Sequence, residues 1–429
     1  MRLLFLSNFY PPDHNGGYEQ LCEETARALR RMGHSVRILT SCPPEGSAPS
    51  ADDDVDTVRR LNLEVIGGLA NTTLRLLRDR TRLERENVEI LQELVTAYRP
   101  DAVLVWGMWN VPRSSVHALE RLASDRVVYY CCDYWPSLPS AYLQQWQEPA
   151  RNPAVRLPKH LLGLPFRWWL SRTTRPPLRL DRFCCVSGAV RDGLVEAGVD
   201  VRHARIVHNG IDLAQFEPRG LELEHARSDR PLRLLYAGRL SREKGVATAI
   251  RAMAALSAEP APPTLDLLGH GEPGYEGELR QLVASLGVSS RVSFRAGVPR
   301  AQMPATIAEY DALLFPSEWP EPMARIIMEA MAVGLVVVGT TTGGTGDLLR
   351  DGETGLTFPP GDSAALAEQI RRLRAATDLG MRLSSEARRR VEEGYTFERM
   401  VSELEGILTE TAESAERSEP ATAGATGKL

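Results

Sequence analysis

The chain changes repeatedly between short apolar, β-rich runs and segments of helical spacing, and it does so twice, on either side of one polar stretch. Arg2–Leu6 reads as a strand, Tyr18–Met32 as a helix and Ser35–Thr40 as a second strand. Ala102–Trp106, Val127–Cys131, Phe183–Val186 and Arg205–His208 continue the series. Beyond the turn-like His208-Asn209-Gly210-Ile211-Asp212 and a polar linker, Pro218–Pro231, the pattern restarts. Its strands there are Leu232–Tyr236, Leu265–Leu268, Val292–Phe294, Ala312–Phe315 and Val336–Gly339. Strands that are apolar along their whole length need cover on both faces, which a parallel sheet flanked by helices supplies. Two such halves predict two α/β domains, with ligands taken at the carboxyl ends of the strands in a cleft between them.

Size agrees, since 429 residues exceed what one ordinary core organises. A charged fraction of 25% with a net charge of -5 describes a globular protein and excludes the basic surface that nucleic acid requires. No apolar run approaches the roughly 20 residues that span a bilayer, and the opening MRLLFLSNFYPP reads as a first strand and not a secretory leader. The six cysteines include two adjacent pairs, Cys131-Cys132 and Cys184-Cys185, whose side chains leave a strand on opposite faces and so neither chelate nor pair. A reduced, cytoplasmic protein is the expectation. The last sixteen residues, rich in Ser, Glu, Ala, Thr and Gly, read as a disordered tail.

The densest signal for chemistry is Glu321-Pro-Met-Ala-Arg-Ile-Ile-Met-Glu329 after an apolar strand. A continuous helix would set glutamates eight apart on one face, the first near a helix start that favours anions. Chance glutamates on a solvated helix give the same spacing. Context separates the two. PPDHNGGYEQ, VHNGID, LLYAGRLSREKGV, LLGHGEP, VSFRAGV, FPSEWPEPMARIIMEAMAVGLVVVGT, TGGTGDLL and DGETGLTFPPGD follow one another in order. The chain thereby resembles the retaining nucleotide-sugar glycosyltransferases of family 4, with the GT-B fold: two Rossmann-like, doubly wound α/β domains facing a central cleft. The resemblance is colinear over nearly the whole chain and densest between about residues 205 and 362.

It implies an acceptor-binding domain over 1–215 and a nucleotide-sugar-binding domain over 216–395. A helix near 396–413 would pack back on the first, and 414–429 would form the tail. Glu321 would bind sugar hydroxyls and Glu329 the nucleotide ribose. The backbone of Met323, Ala324, Arg325 and Ile326 would approach sugar and phosphates, Pro322 having no N–H to offer. Gly238 allows a tight turn after a strand, and Arg239 and Lys244 behind it would stabilise the departing diphosphate. Gly16 and Gly17, in Asn15-Gly16-Gly17, form a turn that lets amides face phosphate; the resemblance makes Gly17 a phosphate contact. Gly297 and Val298 match the loop that meets the base, and Gly269 and His270 another donor-site turn, although His270 also fits plain surface.

Departures from the family pattern fall on the acceptor side. Cys132 stands where many relatives have a histidine that touches the transferred sugar. Asp133 follows it, and either orients and deprotonates the acceptor or caps a turn. Tyr134, Trp135 and Trp109 complete the acceptor candidates. Asp347 replaces a usual glutamate, keeping the carboxylate one methylene shorter. Retention needs no protein nucleophile, since the leaving diphosphate can take the acceptor's proton. No Asp-x-Asp stands at a strand end, Asp52-Asp53-Asp54 lying in a polar loop, so neither metal nor cofactor is expected beyond the UDP- or GDP-linked co-substrate. The acceptor is a small molecule, with natural-product, thiol, amine or sugar hydroxyl groups open, or else a polysaccharide or lipid-linked one. A nucleotide-sugar isomerase, a phosphorylase or a binding-only relative fits the same cleft, but no histidine–carboxylate base pair or cofactor lysine presents itself.

One segment is left over. Residues 151–179 contain Arg151, Arg156, Lys159, Arg167, Arg172, Arg175 and Arg179 and no acidic side chain, with Phe166, Trp168, Trp169 and Leu170 among them. It reads as a membrane-surface element or as a helix that packs its tryptophans inward and keeps its arginines wet. Its five prolines favour the second.

Overall fold

The computed structural model describes residues 1–12, 16–42, 56–65, 69–147, 159, 163–164, 167–173, 176–218 and 230–418. Seven parallel strands form the first sheet: β1 (Arg2–Leu6), β2 (Ser35–Ser41), β3 (Thr57–Leu61), β4 (Ala102–Val105), β5 (Val127–Cys131), β6 (Phe183–Cys185) and β7 (Arg205–Ile206). Their order is β3-β2-β1-β4-β5-β6-β7. The second sheet holds β8 (Arg233–Ala237), β9 (Thr264–Leu268), β10 (Val292–Arg295), β11 (Ala312–Phe315), β12 (Val336–Gly339) and β13 (Leu356–Thr357), in the order β10-β9-β8-β11-β12-β13. Both sheets therefore reverse direction of growth once, between β1 and β4 and between β8 and β11. Crossover helices leave opposite faces there, which opens a crevice at the strands' carboxyl ends.

The central strands are buried at every position, β4, β5, β11 and β12 without exception. In the second sheet Leu234, Leu265, Leu314 and Val338 pack against Ala249, Ile250, Leu366 and Ile370 of flanking helices. Each buried leucine or isoleucine contributes about 1.5–3 kcal/mol. Such runs are what the apolar segments of the sequence become. Two strands escape that reading. Thr57–Leu61 is TVRRL, with only its last residue buried, and Leu356–Thr357 is two residues long; both lie at sheet edges, where one-sided cover needs no apolar run.

The chain divides into two compact units. One contains Met1–Cys185, Arg191–Ile206 and Val401–Leu429; the other contains Val186–Val190 and Val207–Met400. Within the first, the final helix, Phe397–Ser418, brings Glu405 to His34 Nε2 at 3.0 Å and Glu410 to Arg205 at 2.8 Å. That helix continues five residues into the stretch read as a tail, because Ala412 and Ala415 are buried on its inner face. Residues 419–429, most of the linker and Asp52-Asp53-Asp54 lie outside the described residues. Cys184 and Cys185 are both buried, one on each face of β6, and no disulfide forms among the described residues. Among the described residues, no helix is long and apolar enough to cross a membrane.

Candidate functional site

In the second unit the chain leaves β8 through Gly238 and the exposed Arg239, whose carbonyl accepts the buried Tyr236 hydroxyl at 2.6 Å. A short 3-10 turn, Arg242–Lys244, ends at Gly245. Gly245 has φ +66°, and a Cβ there would lie 1.9 Å from the Pro316 carbonyl oxygen. Only glycine lets the turn after β8 lie this close to the turn after β11. Two amides beyond β11, those of Glu318 and Trp319, donate to the Glu243 carbonyl at 2.9 and 3.1 Å and lock the loops together.

This closeness brings Lys244 to Glu321. The ammonium donates to Glu321 Oε1 at 2.5 Å, and the Ser317 hydroxyl donates to the same oxygen at 2.6 Å. Glu321 is only 6% exposed, so its charge is stable there because both donors reach it. Lys244 is a quarter exposed and has further N–H bonds to give.

Glu321 does not open a helix. The helix runs Arg325–Ala332, and Glu321 to Ala324 precede it as loop. Pro322 is the reason: its ring pushes the preceding residue out of the helical region. The two glutamates therefore reach the site from different elements, Glu321 from an extended loop and Glu329 from the helix. Glu329 is buried and paired with Arg300, whose guanidinium also lies over the Phe216 ring at 5.4 Å. Met323 and Ala324 are buried beside the start of the helix, with Arg325 and Ile326 half-buried.

The Glu321 loop is held from behind by the turn Gly343–Asp347. The Gly344 amide donates to the Glu321 carbonyl at 2.7 Å. A Cβ on Gly344 would meet the Pro322 carbonyl oxygen at 2.0 Å and the Ser187 hydroxyl at 2.7 Å. Ser187, fully buried, donates to that same Pro322 carbonyl at 2.8 Å, while Thr340 donates to the Ser317 carbonyl at 2.6 Å. Ser187 and Arg300 join this candidate site although no sequence pattern marks them, since each acts through a partner far along the chain, whereas Ser317 reaches Glu321 only four residues on. Asp347 lies at the end of the turn, its carbonyl taking the Tyr395 hydroxyl at 3.0 Å. After β9, Gly269 and His270 adjoin the β8 loop; the Gly238 amide donates to the Leu268 carbonyl at 3.0 Å and the Leu240 amide to the His270 carbonyl at 2.9 Å. The Gly297 amide approaches His270 Nε2 at 3.3 Å, with half-buried Val298 following.

In the first unit, Gly17 begins the helix Gly17–Arg31, and the Gly16 amide already donates to Glu19 Oε2 at 3.0 Å; Asn15 lies outside the described residues. Glu19, fully buried, is a group the sequence reading missed. The Tyr18 hydroxyl donates to Asn8 Oδ1 at 2.9 Å at the end of β1, and Asn8 Nδ2 donates to the Trp109 carbonyl at 2.9 Å. Asp133 follows β5 and the half-buried Cys132. Its Oδ1 accepts the Trp135 amide at 3.0 Å, which is the cap geometry. Burial, reinforced by the Glu19 charge, pushes its carboxyl up to about 6. Trp135 is buried, its ring 6.4 Å from that of Tyr129, and Tyr134 covers Gly193. Trp109 and Trp135 line one pocket with Met108, Arg113 and Leu138. Thus Trp109 and Trp135 come together, while the Asp133 carboxyl turns to its own backbone.

Two doubly wound parallel sheets of one strand order give the chain the GT-B fold. Residues 15–215 match the model of Glycosyltransferase Family 4, and residues 222–390 that of Glycosyl transferases group 1. A glycogen synthase of Mycobacterium tuberculosis is 25% identical over 93% of this chain and 92% of its own length. An alpha-D-kanosaminyltransferase of Streptomyces kanamyceticus is 28% identical over 46% of this chain and 49% of its own. The fold is shared with sucrose-phosphate synthase of Thermosynechococcus elongatus, with a TM-score of 0.72 and 20% identity over 96% of this chain and 99% of that one. It is shared also with Anabaena HepE in complex with UDP and glucose, with a TM-score of 0.66 and 21% identity over 96% and 100%. The chain belongs to the family 4 glycosyltransferases.

Proposed function

We propose that the protein transfers a sugar from a nucleoside diphosphate to its acceptor with retained configuration, and that Lys244 and Glu321 form the centre of the donor site. The observation that carries this reading is their contact at the growth reversal of the second sheet, a buried carboxylate and a cation with donors to spare. Glu321 accepts hydrogen bonds from sugar hydroxyls, and Glu329 from the ribose when Arg300 yields one oxygen. Lys244, joined by Arg239 from its exposed loop, neutralises the diphosphate as the bond from the sugar C1 to the phosphate oxygen breaks. The acceptor oxygen bonds to C1 on the same face and its proton passes to the leaving phosphate oxygen. No protein nucleophile and no metal enters this scheme. The named relatives include makers of a polymer and of a small glycoside, and the pocket at Trp109 and Trp135 is where we place the acceptor, be it a sugar hydroxyl or a natural product. The cytoplasm is the compartment proposed, as six thiols suggest.

A thermal-shift series with UDP and GDP tests the donor site. UDP is the first choice because the HepE neighbour holds it, and a saturating match adds about 2.7 kcal/mol at a hundredfold excess over Kd. Transfer should persist in excess chelator; abolition reversed by a divalent cation would refute the metal-free scheme.

Asp133 is tested by Asp133→Asn, which keeps an oxygen for the Trp135 amide and removes the charge. A raised carboxyl pKa makes the folded state bind more protons than the unfolded one, so its stability falls as pH rises from about 3.8 to about 6. The variant should therefore melt higher than wild type at pH 8, with the difference gone by pH 4. If Asp133 also deprotonates the acceptor, turnover falls as well; unaltered turnover leaves it as a cap alone.

A further inference from the structure

Burial in the first unit overturns the inward packing expected for the tryptophans of residues 151–179. Among the described residues of this stretch, Leu170 alone of Trp168-Trp169-Leu170 is fully buried, against Leu76, Tyr142 and Leu143. Trp168 is 58% exposed, Trp169 39% and Leu164 51%. The segment is fastened to the long helix Leu69–Tyr98 by Arg80, which donates to the Thr173 carbonyl at 2.6 Å and lies over the Trp169 ring at 5.6 Å. Three residues before Arg80 on that helix, Leu77 is 66% exposed. Large apolar side chains are thus anchored from beneath and presented outward, an arrangement that marks an interaction surface.

Charge selects the partner. The whole chain carries -5, yet residues 151–179 hold seven basic and no acidic side chains. Arg172 stacks over the exposed Trp168 ring at 4.2 Å, and the exposed Arg78 follows Leu77. Indoles edged by guanidinium groups suit the headgroup layer of a bilayer, where the ring settles among the carbonyls and the cation meets lipid phosphate. We propose that this face docks the protein on an anionic phospholipid surface without spanning it. The proposal stands on these side chains and is independent of the transfer reaction.

Co-sedimentation with vesicles of phosphatidylcholine, with and without phosphatidylglycerol, is the test. Wild-type protein should pellet with the anionic vesicles at low salt, and be released from them at high salt. Trp168→Ala with Trp169→Ala, and separately Arg167→Glu with Arg172→Glu, should each lower the partition at least about tenfold. All of these side chains are at the surface, and melting temperature with the nucleotide-induced shift shows that the variants remain folded. Absence of binding to anionic vesicles, equal binding to zwitterionic ones, or binding that neither variant weakens would overturn the proposal. So would retention on an immobilised polyglutamate without vesicle binding, which assigns the face to an acidic protein.

Discussion

Replacing Lys244 by methionine is expected to slow sugar transfer by roughly 100- to 1000-fold, the loss typical when a charge aimed at a developing anion is removed. A second effect accompanies the first. Glu321 is buried with two donors on one oxygen, and the substitution leaves it only the Ser317 hydroxyl. Breaking such a pair on one side costs about 3 kcal/mol, the low end of the range, since Lys244 is partly solvated. Adding Glu321→Gln removes the stranded charge, so the double variant should regain most of the lost stability and none of the lost turnover. Melting curves and single-turnover rates on the two variants separate folding from catalysis. A Lys244→Met enzyme with wild-type turnover and an unchanged nucleotide shift would remove this lysine from the donor site.

Gly344→Ala should lower turnover by about 100-fold by displacing the loop that carries Glu321. The added methyl group would stand 2.0 Å from the Pro322 carbonyl oxygen, a backbone atom that cannot rotate aside. The loop bearing Glu321 must retreat by about an ångström, a displacement sufficient for such a loss. Gly346→Ala is the control, because its nearest neighbour would be 3.5 Å away, an ordinary contact; it should behave as wild type. Ser187→Ala lies between them, losing one hydrogen bond to the same carbonyl, about 1 kcal/mol. Equal activity of the Gly344 and Gly346 variants would show that the position of the Glu321 loop is not critical.

The parts of the fold legible in the sequence are those where burial on both faces leaves an uninterrupted apolar run, as in Ala312–Phe315 and Val336–Gly339. Edge strands such as TVRRL carry no such mark. The helix assigned from Glu321 shows the limit of spacing: eight residues match two turns, but a proline in second place excludes the first glutamate from the helix. Lys244 and Glu321 could be singled out by resemblance, whereas their direct contact depends on Gly245 letting two loops approach. Ser187 and Arg300 were invisible because their partners, Pro322 and Glu329, are distant in the chain. In Trp168-Trp169-Leu170, three neighbouring apolar residues cannot declare which of them turns inward; the contact of Leu170 with Leu76 and Tyr142 decides it.

The division of the chain has a consequence for anyone recombining these enzymes. Ser187 precedes the polar linker, yet it belongs to the unit that follows it, and the chain enters and leaves that unit at residues 186–190 before returning at 207 and departing at 400. A hybrid spliced only at the linker would pair one parent's Pro322 loop with the other parent's serine position. A faithful exchange must carry the 186–190 pentapeptide along and hand the last helix back to the parent that supplies the first sheet.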